Sequence, residues 1–267
     1  MKSVKNIAIA LASIVGIAFG FTSAVSAAGA DKHPMKMEWS FEGPFGTFDQ
    51  AAAQRGWQVY KQVCASCHSL KYFHFRNLKD LGYSEDMIKA FAAEYEVAGE
   101  PDDVGDETVR AALPQDVFPA PFANDNAARA SNGGALPPDL SLIVKARHDG
   151  PNYLYSLITG YEDAPADREI SAGKQYNPYF KGGQISMAQP LFEGVVDYED
   201  GTAATSEQMA KDVVTFLTYV AEPKLVDRHH MGLSVILFLL VLTIIFYLSM
   251  KKIWKDVKSG RNVYKDK

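Results

Sequence analysis

The sequence feature that most constrains the fold is a pentapeptide with two cysteines and a histidine, Cys64-Ala65-Ser66-Cys67-His68. Two thiols three positions apart, followed directly by an imidazole, are the attachment signature of c-type haem. In such sites the thiols form thioethers with the haem vinyl groups, and the histidine becomes an axial ligand of the iron. Cys64 and Cys67 are the only cysteines in the chain. The pattern therefore predicts one covalently attached haem c, around which the domain folds.

Three other functions are compatible with the cysteine spacing alone. The pair could be the redox site of a thiol–disulfide oxidoreductase or half of a zinc site. The first leaves His68 unexplained, and the second would usually need a further ligand pair such as a second C-x-x-C, which the sequence lacks. A structural disulfide between the two thiols also remains open.

The N-terminus has the pattern of a secretory signal peptide. Lys2 and Lys5 precede a mostly apolar run over residues 7–21, and small residues follow at 24–28. Cleavage after Ala27 or Ala28 fits the small-residue rule, and an uncleaved anchor helix is the alternative. Export is compatible with haem attachment outside the cytoplasm.

A second apolar segment lies near the C-terminus. Residues 231–250 form a 20-residue run without a charge. As a helix this run would be about 30 Å long, which matches the hydrocarbon core of a bilayer. The tail at 251–267 carries a net charge of +5, so the positive-inside rule predicts that it is cytoplasmic. We expect a signal peptide at 1–27, an exported domain at 28–230, a transmembrane helix at 231–250 and a basic cytoplasmic tail at 251–267.

The predicted exported domain is acidic. Residues 28–230 hold 18 basic and 30 acidic residues, a net charge of −12. Such a domain repels nucleic acid and anionic lipid headgroups and would attract a basic soluble partner. Seven acids lie at 94–107 without a base, among residues that break regular structure, which predicts a solvated, mobile acidic loop. Taken by itself, the net charge of the domain is better explained by ordinary solubility.

The helical patterns predict a mainly α fold with long loops. Asp49 and Ser84 are candidate N-caps, Thr205 with Gln208 resembles a capping box, and Gly56 suggests a close helix crossing. Met87 is expected to face inward, and the extended, aromatic segment 28–48 would wrap the domain or line a subunit contact. The predicted helices run from Asp49 to Val63, Ser84 to Ala93, Leu140 to His148, Pro151 to Gly160 and Thr205 to Ala221.

A sixth ligand for the iron is predicted at Met187, in a loop framed by glycines and Pro190, because histidine and methionine together are a known haem ligation. Met87 and Met209 lie on apolar helix faces, where packing is the default. Met35 and Met37 precede the haem motif. His74 is a weaker alternative ligand. Arg147 could pair with a haem propionate or face solvent.

The chain resembles cytochrome c1, the haem subunit of the cytochrome bc1 complex (quinol–cytochrome c oxidoreductase), in its bacterial form. The resemblance covers almost all of the sequence after the signal segment. It rests on WSFEGPFGTFDQ at 39–50, RGWQVYKQVCASCHSLK at 55–71, NGGALPPDLSLIVKARH at 132–148, YNPYF at 176–180, MAQPLFEGVVDYEDGTAAT at 187–205, and AKDVVTFLTYVAEPKLVDRHHMGL from residue 210. Some bacterial relatives carry a second cysteine pair, which this chain lacks.

The resemblance implies a class I cytochrome c-like haem domain and a single C-terminal transmembrane helix. It implies thioether bonds at Cys64 and Cys67 and axial ligation by His68 and Met187. A second set of residues would contact a propionate or border the haem pocket: Arg147, Pro138, Tyr153 and Asn132.

The implied partners are cytochrome b, the Rieske iron–sulfur protein and, through the acidic surface, a soluble or membrane-bound cytochrome c. The implied place is the bacterial inner membrane, with the haem domain in the periplasm of a dimeric complex. The expected function is electron transfer from the Rieske protein to cytochrome c in a respiratory or photosynthetic chain. A haem peroxidase or gas sensor with an open sixth site, a thiol–disulfide oxidoreductase and a purely structural assembly subunit are the alternatives.

Overall fold

The computed structural model describes residues 30–260, apart from the side chain of Asp256; the predicted signal segment and the end of the basic tail lie outside the described residues. Its α-helices are α1 (Gln50–Gln62), α2 (Glu85–Ala93), α3 (Asp125–Ser131), α4 (Gly150–Thr159), α5 (Ser206–Ala221) and α6 (Leu225–Lys258). Two 3-10 segments cover Cys64–Ser66 and Phe75–Leu81. Two short antiparallel ladders pair β1 (Glu96–Ala98) with β2 (Val109–Ala111) and β3 (Gln175–Tyr176) with β4 (Gln184–Ile185). The predicted mainly α fold with long loops and one apolar C-terminal helix is confirmed.

The core is centred on the crossing of α1 and α5. A Cβ atom placed on Gly56 would overlap the backbone carbonyl of Asp212, so the two helices touch backbone to backbone at this point. Beside the contact, the buried rings of Trp57 and Phe216 have centroids 5.7 Å apart. Burying one such ring stabilises the fold by about 1.5–3 kcal/mol. The helix crossing predicted at Gly56 is confirmed.

The helix N-termini are capped by the predicted residues. The side chains of Asp49, Ser84 and Thr205 each accept a hydrogen bond from a backbone amide in the first turn of α1, α2 and α5. Each such cap contributes about 1 kcal/mol. The capping box is only half formed, because the Gln208 amide donates to Asp212 Oδ1 at 3.0 Å and not back to residue 205.

Three local predictions are wrong. The segment from Leu140 to His148 forms turns and no helix: the Leu140 amide donates to the Ser69 carbonyl at 2.9 Å, so its backbone is tied to a distant loop. The acidic segment is not wholly irregular, since β1 begins at Glu96 and pairs with β2. The Met87 side chain is 45% exposed, because α2 turns Ile88 and Ala92 to the core instead.

The aromatic segment before α1 wraps the domain. Trp39 and Phe41 are buried and stacked, with centroids 5.5 Å apart. Phe48 packs edge-on against Tyr219 of α5 at 5.8 Å. Phe45, by contrast, is 75% exposed. Of the two roles open for this segment, the structure shows the packing one.

The helix α6 extends the fold away from the core. Among residues 30–260, Leu225–Lys255 is the one stretch long and apolar enough to cross a membrane, and an 18-residue window within it has a mean hydropathy of 2.7. No side chain of that apolar window is buried. The polar residues 227–230, which precede the apolar run, lie inside the helix. His229 Nδ1 is 2.9 Å from the Gly46 carbonyl. This contact ties the start of the span to the turn before α1.

Candidate haem site

The two cysteines and the histidine lie on one tight turn at the end of α1. The helix ends at Gln62, and the 3-10 segment Cys64–Ser66 follows directly. The amides of Cys67 and His68 donate to the Cys64 carbonyl at 3.1 and 2.9 Å. Because both bonds converge on one carbonyl, the two thiols and the imidazole are held close together by the backbone.

The His68 imidazole is oriented by a backbone carbonyl. His68 Nδ1 lies 2.8 Å from the carbonyl oxygen of Pro138. A carbonyl can only accept, so Nδ1 carries the proton and donates, and Nε2 keeps its lone pair. In metal-ligating histidines, the ring nitrogen that does not bind the metal typically donates such a hydrogen bond. Burial lowers the pKa of His68, which favours the neutral, ligating form; the hydrogen bond to Pro138 opposes the shift.

The backbone of His68 is fixed from the core side. The buried Tyr60 hydroxyl, one turn before the cysteines on α1, donates to the His68 carbonyl at 2.9 Å. The pKa of Tyr60 is raised well above its ordinary value, mainly by burial. The hydroxyl therefore stays a donor at any physiological pH. No sequence pattern indicated this hydrogen bond.

Asp139 joins the Pro138 loop to the cysteine turn. Its Oδ2 accepts from Ser69 Oγ at 2.7 Å and from the Lys71 amide at 2.9 Å. Its Oδ1 accepts from the Ser141 amide at 3.0 Å. Burial alone would raise the pKa of Asp139, but these hydrogen bonds outweigh it and the pKa is lowered. The aspartate was not predicted as a site residue; its position after two prolines, where aspartate commonly bonds the backbone two residues on, was the available signal.

Both cysteines are free, half-buried thiols. Burial raises the pKa of Cys64 to about 12, with the neighbouring Cys67 adding to the shift. An attacking redox cysteine needs a lowered pKa instead. Two thiols on a single turn, beside an imidazole with Nε2 unprotonated, fit covalent haem attachment. The raised pKa of Cys64 does not suit it to be the attacking thiol of a disulfide exchange site.

The remaining predicted pocket residues fall into two groups. Arg147 is exposed at the loop before α4 and interacts with Tyr153 in the first turns of that helix. Burial raises the pKa of Tyr153, and this guanidinium partly offsets the rise. Asn132 lies at the C-terminal end of α3, where its side-chain amide donates to the Ala128 carbonyl at 2.8 Å. Their haem contacts stay predictions.

Met187 lies two residues after β4, in the loop that follows the small β3–β4 ladder. Its side chain is half-buried. The Tyr161 hydroxyl donates to the Met187 carbonyl at 3.0 Å, and burial raises the pKa of that tyrosine. Sequence reasoning missed this bond. The role of Met187 as a ligand stays a prediction.

His74, the weaker alternative ligand, is part of the backbone framework. Its amide donates to Asn77 Oδ1 at 2.8 Å, and it forms an isolated bridge with Val117. This places it at the start of the 3-10 segment Phe75–Leu81.

The predicted docking surface presents its acidic side chains to solvent. All seven acids of residues 94–107 are exposed. Glu94 also pairs with Lys61 at 2.6 Å, and Asp102 accepts two amides of its own turn. Five carboxylates of the segment therefore remain directed at solvent, which suits a steering surface for a basic protein.

Comparison with known proteins gives one family. A sequence profile described as the cytochrome C1 family matches residues 39–257. The chain is 46% identical over 274 residues to a protein of Rhodospirillum rubrum named cytochrome c1, with 97% of this chain and all of that protein covered.

Two further relatives extend the similarity. A Saccharomyces cerevisiae protein named cytochrome c1, heme protein, mitochondrial, is 46% identical over 242 residues, covering 90% of this chain and 78% of the relative. A Bradyrhizobium diazoefficiens protein named cytochrome b/c1 is 44% identical over 278 residues, covering 96% of this chain but 40% of the relative.

Proposed function

This chain belongs to the cytochrome c1 family, the haem subunits of the cytochrome bc1 complex, and we propose that it carries electrons from the Rieske iron–sulfur protein to a cytochrome c. The observation that carries the proposal is the 2.8 Å contact from His68 Nδ1 to the Pro138 carbonyl beside two free thiols. It leaves the outer imidazole nitrogen available for iron, on a turn whose cysteines can bind one haem covalently. The chain thus contributes a redox subunit to an oxidoreductase and performs no bond chemistry of its own.

The residues of the haem site divide the work. Cys64 and Cys67 would hold one haem c, which when bound supplies a one-electron iron couple. His68 would ligate the iron through Nε2, held in orientation by Pro138 and Tyr60. Arg147 would offer its fork of donors to a propionate, with Tyr153 beside it, and Asn132 would border the pocket.

Met187 would complete the coordination. A thioether ligand raises the reduction potential of a haem. Met187 would also fill the sixth site, which would leave oxygen and peroxide no open position to bind. A filled site suits a relay and argues against a peroxidase or gas sensor. The Tyr161 hydrogen bond to the Met187 carbonyl would steady the ligand from the backbone.

The division of the chain supports the topology. Residues 1–27 would be a cleaved signal peptide and 28–230 an exported haem domain in the periplasm. Residues 231–250 would span the inner membrane within α6, and the basic tail at 251–267 would be cytoplasmic. The single span would fix the haem domain beside the membrane surface, within reach of a mobile iron–sulfur domain.

The partners follow from the family and the surface. Cytochrome b is supported as a neighbour by the relative named cytochrome b/c1, in which this chain matches 40% of the length. The exposed acids of residues 94–107 would attract a basic cytochrome c, soluble or membrane-bound. A dimeric complex is part of the same proposal.

A redox titration with visible spectra of the reduced complex tests the function. Met187→Leu should lower the potential sharply and slow cytochrome c reduction, whereas Met87→Leu, at an exposed methionine, should change neither. An unchanged potential in Met187→Leu would refute the ligand assignment.

The alternative functions predict different experimental results. A high-spin ferrous form that binds carbon monoxide in the unaltered protein would favour a peroxidase or gas sensor. Two titratable thiols and no pyridine haemochrome would favour a thiol–disulfide oxidoreductase. A structural subunit would tolerate His68→Ala without loss of cytochrome c reduction.

A further inference from the structure

Residues 31–39, called here the N-terminal strap, run along the outside of the domain and contact two elements that are separate in sequence. One is α4, and the other is the β3–β4 hairpin, which leads to Met187. No sequence pattern indicated a role for this segment in the haem site. Its contacts connect it, through hydrogen bonds and short stretches of backbone, to the predicted sixth ligand.

The strap is anchored on α4 at one end. The Met35 amide donates to the buried Ser156 hydroxyl at 2.7 Å. Asn152 Oδ1 accepts both the Met37 amide at 3.1 Å and the Trp39 indole at 2.8 Å. Because α4 packs on α5, this end of the strap is fixed to the core of the domain.

The other end of the strap holds the hairpin. Arg168 contacts both carboxylate oxygens of Asp31, and the Tyr176 hydroxyl donates to the same carboxylate at 3.0 Å. The Lys32 amide donates to the Pro178 carbonyl at 3.0 Å. A single aspartate therefore joins the strap to β3 and to the loop before it.

The hairpin has little stability of its own. Its two strands have two residues each, and isolated hairpins are marginal even when longer. Gly183, just before β4, passes so close to Arg168 that a Cβ there would overlap Nη1. The arginine thus lies against the turn that feeds β4, and Met187 follows two residues after that strand.

The strap also reaches the second support of Met187. Lys32 Nζ pairs with Glu162 at 2.6 Å. Glu162 follows Tyr161, whose hydroxyl donates to the Met187 carbonyl at 3.0 Å. The strap is therefore bonded to both backbone segments that hold the methionine, the hairpin before it and the Tyr161 loop beside it.

We infer that Asp31 and Arg168 are positioning residues for Met187: their bidentate contact fixes the hairpin to the strap, and so keeps the thioether at the iron. The inference rests on the proposed function, because it takes Met187 as the sixth ligand. Neither residue has a hydrogen bond to His68 or Met187 among the described contacts, so both would act through the backbone of the hairpin.

Arg168→Gln and Asp31→Asn in the full complex test the inference. The long-wavelength absorption band of methionine-ligated ferric haem should weaken, and ferrous haem should bind carbon monoxide about fivefold faster, the scale of losing a good exposed ion pair. Exchange of the hydrogen-bonded Gly183 and Gln189 amides with deuterium, which reads the polypeptide directly, should quicken by a similar factor. The double variant Asp31→Arg with Arg168→Asp should restore all three readouts in part.

Arg110→Gln is the matched control. Arg110 makes a comparable two-point contact with Asp116, at 2.6 and 2.9 Å, on the β1–β2 side of the domain. Its loss should leave the band, carbon monoxide binding and hairpin exchange unchanged.

The outcomes separate the two proposals. Faster hairpin exchange with an unaltered band and unaltered carbon monoxide binding would overturn the positioning role, and so would unaltered exchange. If Met187→Leu itself leaves the band unchanged, the ligand assignment in the proposed function fails. If Arg168→Gln does not fold, Asp31→Asn, which keeps the size of the side chain, decides between the same outcomes.

Discussion

Arg55 and Asp212 form a two-point ion pair in which the carboxylate is completely buried: Nε and Nη2 lie 2.9 and 3.1 Å from its two oxygens. The pair lies at the crossing of α1 and α5, the helices that carry the haem turn and lead to the membrane span. Tyr198 and Gln208 donate to the same carboxylate at 3.0 Å each. Every oxygen of this buried charge is therefore satisfied, and the pair links three parts of the chain.

Asp212→Ala should destabilise the domain strongly. Removing one partner of a buried, hydrogen-bonded pair costs about 3–5 kcal/mol, because the other charge stays without compensation. For a domain of this size that is roughly a 10 °C fall in the thermal midpoint. Thermal unfolding of the detergent-solubilised chain measures it.

Asp200→Asn is the control for this change. Asp200 contacts the same arginine at 2.9 Å but is about half exposed, so we expect a cost under about 1 kcal/mol. Equal losses of stability in the two variants would contradict the view that burial determines how much an ion pair contributes to stability.

Gly56→Ala should also destabilise the protein, although alanine favours helix. The added methyl group would meet the Asp212 carbonyl, which is backbone and cannot rotate away. We expect a cost of about 1–3 kcal/mol from forcing α1 and α5 apart. Gly232→Ala, at a helical glycine with open space around its Cβ position, should be neutral or slightly stabilising in the isolated subunit. Calorimetry of both variants gives the comparison, and a neutral Gly56→Ala would rule out the tight crossing.

The features that the sequence predicted well are those encoded within a few residues. Asp49 and Thr205 cap helices because their side chains reach amides three positions on. A glycine in a helix interior, such as Gly56, costs stability and therefore indicates a close approach of another backbone. The turn at residues 64–68 is likewise encoded by a pattern of five consecutive residues. Each of these features depends on local backbone geometry, which can be predicted from residues that are close together in the sequence.

The features it missed depend on pairs that are distant in sequence. The sequence around Asp212 does not indicate that Arg55 is its partner. The sequence around Tyr161 does not indicate that its hydroxyl donates to the Met187 carbonyl. The segment after Leu140 has apolar spacing of helical type, but a long-range bond to Ser69 holds it in turns. Such contacts are chosen by the tertiary fold, so local pattern could not give them.

Tyr161→Phe should loosen Met187 without changing the packing. The variant keeps the ring and removes the donor to the Met187 carbonyl, a loss of about 1 kcal/mol, which corresponds to roughly a fivefold shift in an equilibrium. We expect cyanide to displace the methionine from ferric haem about fivefold more readily. Tyr72→Phe, at a side chain that is 70% exposed, is the control and should bind cyanide as the unaltered protein does. Identical cyanide affinities in all three proteins would show that the hydroxyl does not steady the ligand.

Asp139→Asn should destabilise the haem loop in a pH-dependent way. The carboxylate accepts from Ser69, Lys71 and Ser141, and the pKa of Asp139 lies below its ordinary value of 3.8 in spite of the burial that opposes this. A lowered folded-state pKa means that the stabilisation is fully present above about pH 4 and is lost as the pH falls through the folded-state pKa.

At pH 7 the variant should therefore be less stable than the unaltered protein by about 1–2 kcal/mol, the scale of a charged hydrogen bond at a partly exposed site. Below pH 4 the gap should narrow, because the unaltered protein then loses its own carboxylate charge while the asparagine does not titrate. Chemical denaturation of both proteins at pH 7 and at steps from 4 to 2 measures the gap. A gap that stays constant over that range would mean that the geometry of the side chain, and not its charge, holds the Pro138 loop against the histidine turn.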